Sequence, residues 1–314
     1  VRAVAKRRTC NARRALAQLA ELGRLIQRFR AADLPVLPVK GPLLAAQLYG
    51  DPGLRQCGDL DLLVDPTHVT RAAALLREAG CRRNHPDFSL SPRQHRAFLK
   101  NYNQMAFQKT SPPLTVELHW RWFRNRYFFT PDIAELLQAS DTVNIGGLTV
   151  ATPPPEDLLL YLCAHGAKHA WYNLKWLADI PPLLARLDDP DALVQRAGQL
   201  ALRRVLAQTL VLCRDLLATP LSPPLTALID AEPNAHALAT HARRVMLRDD
   251  RRDRSVGDKL RRWRYMTRLK TTPAYRWRET AGYLSNCEDW RTLPLPDRLF
   301  WLYYPLRPLL WLRR

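Results

Sequence analysis

Acid is scarce in this 314-residue sequence: 29 Asp and Glu face 48 Lys and Arg, for a formal net charge of +19. Part of the arginine excess reflects coding bias. The rest favours polyanionic partners (nucleoside triphosphates, nucleic acid or an acidic membrane surface) without choosing among them. Long apolar runs are also missing. Apolar content is 47%, yet no uninterrupted stretch approaches the ~18–20 residues of a membrane span, so a soluble protein is expected. The six cysteines, at positions 10, 57, 81, 163, 213 and 287, include no Cys-x-x-Cys pair. That pattern argues against a cysteine zinc site or a disulfide framework and fits reduced thiols in the cytoplasm. No His-Glu-x-x-His motif, internal repeat or low-complexity tract is found. The basic start, Val1 to Arg8, runs into an amphipathic helical pattern, not an apolar signal segment.

What is present centres on Gly58-Asp59-Leu60-Asp61-Leu62-Leu63-Val64. Residues alternate faces along a strand, so Asp59 and Asp61 share one face while Leu60, Leu62 and Val64 line the buried one. Two carboxylates so close repel each other, and a hard divalent cation such as Mg2+ offsets that cost while bringing substrate phosphates with it. Upstream, the extended run Leu34 to Val39 stops at Lys40-Gly41-Pro42. A helical stretch, Leu43 to Tyr49, and a turn at Gly50 to Gly53 lead to Arg55 and the acidic strand. Gly41 lets backbone N–H groups approach phosphate, and the helix N-terminus behind it favours negative charge.

Lys40-Gly41-Pro42 together with Arg55-Gln56-Cys57-Gly58-Asp59-Leu60-Asp61 resembles the nucleotidyltransferase superfamily typified by DNA polymerase β. More narrowly, the chain resembles a bacterial branch of largely uncharacterised nucleotidyltransferases. That branch also carries an acidic-Leu-His-Trp strand, here Glu117-Leu118-His119-Trp120, and a His-x-x-Lys-His-x-Trp segment, here His165 to Trp171. The likeness runs from about Leu16 to Asp179 and more loosely to the end. One departure is Pro42, where the wider superfamily has Ser; it lacks both a hydroxyl and an N–H, and Lys40 is the expected substitute for that phosphate contact.

Residues from about Asn11 to Arg30 place Leu16, Leu19, Leu22, Leu25, Ile26 and Phe29 on one helical stripe backing the first strand. Asp65-Pro66-Thr67 opens a helix to about Ala79, closed by Gly80. The basic stretch 84–100 (His85, Arg93, His95, Arg96, Lys100) reads as a solvated helix. Residues 103–108 and Leu114 to Trp120 read as a hairpin around Ser111-Pro112-Pro113. In the second strand Thr115, Glu117 and His119 share a face, which puts Glu117 where a third metal-binding carboxylate belongs. Arg121, Arg124 and Arg126 then interleave with Trp122, Phe123, Tyr127, Phe128 and Phe129, either to stack on bases or as a loop whose Arg stems pack on rings. A short helix follows Pro131, and Thr142 to Thr152 reads as a hairpin turning at Gly146-Gly147.

Pro153-Pro154-Pro155 divides a catalytic domain, 1–152, from a helical domain, 153–314, that completes the acceptor side of the cleft. Helices are expected at 156–170, 173–187, 191–217, 222–247, 255–270 and 297–313. His165 and His169 sit i, i+4 with Asp179 beyond. That spacing suits zinc, but a polar network is the reading adopted. The arginine run 243–278, interrupted by Asp249, Asp250, Asp253 and Asp258, is either a charged surface or an acceptor-binding face. The apolar tail from Leu293 is expected to pack on the helical domain, with a membrane interface as the other option.

The expected fold is therefore α+β: a polymerase-β-like mixed sheet flanked by helices, followed by a mainly helical part. The resemblance implies a metal-dependent nucleotidyltransferase. Asp59, Asp61 and Glu117 hold Mg2+ or Mn2+ and do the catalysis, while Lys40, Gly41, Arg55, Gly58 and His119 face the nucleotide phosphates. By resemblance, relatives modify antibiotics, proteins, RNA ends and small metabolites, so a peptide, sugar or small molecule is the favoured acceptor. The alternatives are kinase-like phosphoryl transfer, a tRNA-directed or toxin-like transferase, and a non-catalytic nucleotide- or RNA-binding protein.

Overall fold

The structure, a computed structural model, describes all residues except 1, 146, 249–254, 283–285 and 313–314. The chain begins with helix α1 (Arg2–Ala31), then β1 (Leu37–Pro38), α2 (Gly41–Tyr49) and β2 (Asp59–Leu63). Next come α3 (Val69–Glu78), β3 (Arg82–His85), α4 (Pro92–Asn101), and the hairpin of β4 (Gln104–Lys109) and β5 (Leu114–His119). The five strands form one mixed sheet in the order β1-β2-β5-β4-β3, and β2 with β5 is its parallel pair. A separate hairpin, β6 (Asp141–Ile145) with β7 (Leu148–Thr152), follows the short helix α5 (Ile133–Gln138). The expected turn of this hairpin at Gly146 lies outside the described residues.

Strand alternation decides what each sheet face meets. Leu60, Leu62 and Val64 of the β2 segment, with Val116 and Leu118 of β5, pack beneath Leu22, Leu25, Ile26 and Phe29 of α1. Each large side chain so buried contributes about 1.5–3 kcal/mol. Leu16, expected on that stripe, is exposed; Ala15 and Gln18 turn inward in its place. On the other face Leu63 joins a second core with Leu37, Val39 and the helices that follow residue 154. Both faces of β2 are therefore covered, and Asp61 is left only 2% exposed.

Those helices are α6 (Pro155–Lys168), α7 (Leu174–Ala178), α8 (Ile180–Leu184), α9 (Pro190–Gln199) and α10 (Arg203–Leu217), then α11 (Pro223–Ala231) and α12 (Ala235–Met246). They end with α13 (Val256–Leu269), α14 (Pro273–Ala281), α15 (Glu288–Thr292) and α16 (Tyr303–Leu312). Three long helices expected from the sequence are each broken in two. Breaks fall before Pro181-Pro182, at Ala201 with its φ of 52°, and at Glu232-Pro233. Proline removes a helical donor, and a left-handed residue reverses the chain.

The tail corrects a further expectation. Trp290, Phe300 and Tyr303 join the core shared by α1 and the sheet, not the helical layer after residue 154. Asp297 accepts from the Ser91 hydroxyl at the start of α4, and Arg93 lies 5.5 Å over the Phe300 ring. The basic 84–100 stretch thus includes the end of an edge strand, β3, and a helix that docks the tail.

Candidate active site

The register of β2 against β5 sets Asp61 directly opposite Glu117 and Asp59 opposite Thr115. One atom each of Asp61, Glu117 and His119 lies within 4.8 Å of the others. Asp59 shares their face, two residues back along β2. The Leu114-to-His119 alternation therefore places Glu117 on the same side as the two aspartates, with Val116 and Leu118 in the core.

Asp61 is the centre of this cluster. Its Oδ1 lies 3.1 Å from Lys40 Nζ and 3.1 Å from His119 Nε2. Burial alone would push its carboxyl up, but Lys40 and His119 outweigh that and hold it well below the usual range. Its Oδ2 is buried and has no hydrogen-bond partner among the described residues. Asp59 is shifted the other way: burial, then the charge of Asp61, pushes its carboxyl up to about 6. Such opposed shifts on neighbouring acids mark a site where negative charge is concentrated beyond what the local cations neutralise.

His119 Nε2 also reaches Glu117 Oε2 at 3.4 Å, and Asn103 Nδ2 lies 3.4 Å from His119 Nδ1. With Asn103 donating to Nδ1, the neutral ring carries its proton on Nε2, aimed at both carboxylates. Burial lowers the proton affinity of this imidazole, but the bonds to Asp61 and Glu117 raise it above its ordinary value.

Lys40 and Gly41 stand over the same spot. Gly41 has φ 71°, and a Cβ there would sit 3.1 Å from the Asp59 carbonyl oxygen, so the turn packs backbone to backbone on the acidic strand. It opens α2, whose first turn is one donor short at Pro42. Lys40 Nζ lies 5.7 Å from the centre of the Tyr161 ring. Gly58 has no such constraint: it is exposed, and a Cβ there meets nothing within 4 Å.

Arg55, expected to meet phosphate, is committed elsewhere. Its Nε lies 2.9 Å from both oxygens of Asp179, and the guanidinium is only 6% exposed. Tyr49 also donates to Asp179 Oδ1, at 3.1 Å. Arg55 thus ties the loop before β2 to α7 and α8. Asp179 is in turn not a partner for His165 and His169, which instead pack against Trp176 at 4.8 and 5.2 Å between ring centres. Burial, Lys168 and Lys40 push the His169 imidazole down to about 3. The arginines of the 121–126 segment pack on rings and carbonyls: Arg124 lies 4.5 Å over Tyr102 and Arg126 4.9 Å over Tyr127. In the 243–278 run, Asp258 pairs with Arg248 and Arg261, while Asp249, Asp250 and Asp253 lie outside the described residues.

Sequence reasoning missed Lys175 and gave Lys168 no role of its own. Lys175 donates to the Gln56 carbonyl at 3.0 Å and adds positive potential at Asp59. Lys168 stands at the end of α6 and feels the charge of Glu117. Lys168 was visible in the His-x-x-Lys-His-x-Trp segment; Lys175 carries no sequence signal.

The mixed five-stranded sheet, flanked by helices, thus bears facing acids on two adjacent strands. The chain belongs to the family described as "Uncharacterised nucleotidyltransferase", whose model matches residues 1–218. Among solved structures it is similar to an antigenic nucleotidyltransferase-like protein from Paracoccidioides brasiliensis, at 16% identity and a TM-score of 0.39. That match covers 68% of this chain and 92% of the other. No curated protein matches. No helix among the described residues is long and apolar enough to cross a membrane.

Proposed function

We propose that the protein transfers a nucleoside monophosphate from an NTP to an acceptor, using a divalent cation held by Asp59, Asp61 and Glu117. The observation that carries this reading is the Asp61–Glu117 pairing across β2 and β5, with the buried Oδ2 of Asp61 left without a partner among the described residues. An orphaned carboxylate oxygen among further carboxylates fits Mg2+ or Mn2+, which take oxygen ligands. When bound, such a cation stabilises the attacking and leaving oxygens of an in-line displacement at phosphorus.

The protein's own groups do the rest. Lys40 neutralises Asp61 and, on nucleotide binding, is placed to turn toward phosphate. The Gly41 turn brings the α2 N-terminus to the triphosphate. Glu117 accepts the acceptor's proton, and His119, fixed by Asn103, orients Glu117 and Asp61. Arg55 acts at a distance by holding the loop that leads into β2. The division of the chain near 153–155 is likewise proposed to set the acceptor-side helices against the sheet.

The test is the intact mass of small molecules from a cell extract after incubation with each NTP and Mg2+. A nucleotide-sized gain, lost with Asp61→Asn, is the expected result. A phosphate-sized gain would replace this reading with phosphoryl transfer, and no gain with any NTP would contradict it.

A further inference from the structure

The Lys40–Gly41 turn and β2 account for the nucleotide half of such a reaction, and the acceptor half needs its own place. A cavity of about 280 Å³ opens between the loop after β5 and helices α6 and α14. Its wall meets the carboxylate cluster at Asn103, the residue bonded to His119. Lys168, Arg124 and Arg278 line it, and Glu279, the acid among its described lining residues, already accepts from Asn125 Nδ2 at 3.0 Å.

Lys168 is the informative member. Among the described residues no carboxylate lies within ion-pair distance of its Nζ, which sits 5.4 Å from the centre of the Phe123 ring. Burial, then Lys40, pushes its amine down to about 8. Arg278 reports the same imbalance: burial and the charges of Arg124 and Arg126 push its guanidinium down. Its hydrogen-bond partner is the neutral Asn101 Oδ1, at 3.0 Å. Like charges gathered against apolar Phe123 and Phe128 are costly, and an anion entering the cavity removes the cost.

The placement of Lys168 is also built into the fold. Just after α6, Ala170 and Trp171 have φ of 48° and 55°, a left-handed conformation that side chains rarely adopt. The fully buried Trp171 ring holds it there, filling space that a Cβ on Gly166 would invade to 2.3 Å. Trp171 N donates back to the Gly166 carbonyl at 2.8 Å. The helix end that bears Lys168 is thereby fixed beside the cavity.

We propose that this cavity is the acceptor site and that the acceptor is a small hydroxylated anion, its phosphate or carboxylate against Lys168 and Arg278 and its hydroxyl toward Glu117. The proposal rests on the nucleotidyl-transfer reading for its chemistry, but not for the anion binding itself. In the transfer, the acceptor oxygen bonds to the α-phosphorus and the bond to the α–β bridging oxygen breaks. Pyrophosphate leaves with that electron pair, and the hydroxyl proton passes to Glu117. The volume, about 280 Å³, lies just below the ~300–1,000 Å³ typical of ligand sites, which suits a small metabolite and not a macromolecular surface.

Calorimetric titration of the full chain, in EDTA so that no divalent cation contributes, tests this. The probes are inorganic phosphate, glucose 6-phosphate, gluconate and glucose. Glucose 6-phosphate or gluconate is expected to bind where glucose does not, and the stronger of the two names the anionic group. Lys168→Gln and Arg278→Gln should each weaken binding at least ~10-fold, the scale of one charge-assisted contact. Lys168→Arg should restore it, with near-ultraviolet dichroism checking that each variant is folded. Absence of binding by the unaltered chain, or binding indifferent to both Lys168→Gln and Arg278→Gln, would overturn the proposal. So would tRNA binding that depends on Lys168 when the small anions fail. Anion binding that follows Lys168 in a protein that transfers no nucleotide would uphold the pocket and remove the nucleotidyl-transfer reading instead.

Discussion

Two clusters in this molecule look alike on paper and differ in space. Asp61, Glu117 and His119 come from two strands; His165, His169 and Asp179 come from two helical segments. Each set offers three potential metal ligands. In the first, strand register brings the donors within 4.8 Å of one another. In the second, Asp179 is taken by Arg55 and Tyr49, and the histidines settle as uncharged rings against Trp176. The strand cluster holds excess charge that its neighbours do not fully offset, and the helix cluster has discharged its own. Ligand-type residues at suggestive spacing are thus only a beginning; what the nearby elements do with each charge decides the outcome.

The largest expected effect falls on the strand cluster. Glu117→Gln keeps the side chain's shape while removing its charge and basicity. Turnover should fall at least ~10²-fold, the scale of losing a general base, with nucleotide binding largely retained. Near-normal turnover would equate Glu117 with the idle helix cluster. Next is the ion pair that separates the two regions. Arg55→Ala leaves Asp179 buried and uncompensated, which typically costs ~3–5 kcal/mol and should appear as a lower midpoint in urea denaturation. An unchanged midpoint would mean the pair contributes nothing to fixing the loop before β2.

The smallest effect concerns the helix cluster and pH. The folded-state proton affinity of His169 is depressed to about 3, below its ordinary 6.5. Between those values the unfolded chain binds more protons, so this residue's contribution to stability is present above about pH 6.5 and lost as pH falls toward 3. In His169→Gln the urea midpoint should therefore decline less steeply over that window than in the unaltered protein. Equal slopes would mean the imidazole is not held neutral.

Much of this was legible because strands advertise themselves simply. The alternation in Gly58 to Val64 and Leu114 to Trp120 specified faces, and a hairpin with a short turn left little freedom in register. Lys40-Gly41 could be read because a left-handed glycine before a helix has few other uses. Edge strand β3 was hidden, since Arg82-Arg83-Asn84-His85 carries no apolar alternation and sits where charge protects an open edge. The commitment of Arg55 to Asp179, 124 residues away, could not be read from local pattern. The tail was misplaced for a similar reason: its apolar residues say that it packs, not on what. Lys168 sat in plain view, but its importance depends on having no carboxylate within ion-pair distance among the described residues, which sequence does not reveal.

The central claim is that the orphaned oxygen of Asp61 and its neighbouring carboxylates bind a divalent cation together with an NTP. Electron paramagnetic resonance of Mn2+, titrated into the protein with and without each NTP, tests it most directly because it does not depend on turnover. The account predicts that free-Mn2+ signal is lost on adding the unaltered protein, more strongly with NTP present. Asp61→Asn should abolish most of that loss, while His165→Ala and His169→Gln leave it unchanged. Mn2+ binding that survives Asp61→Asn but disappears with the histidine variants would contradict the account and move the metal centre to the helix cluster.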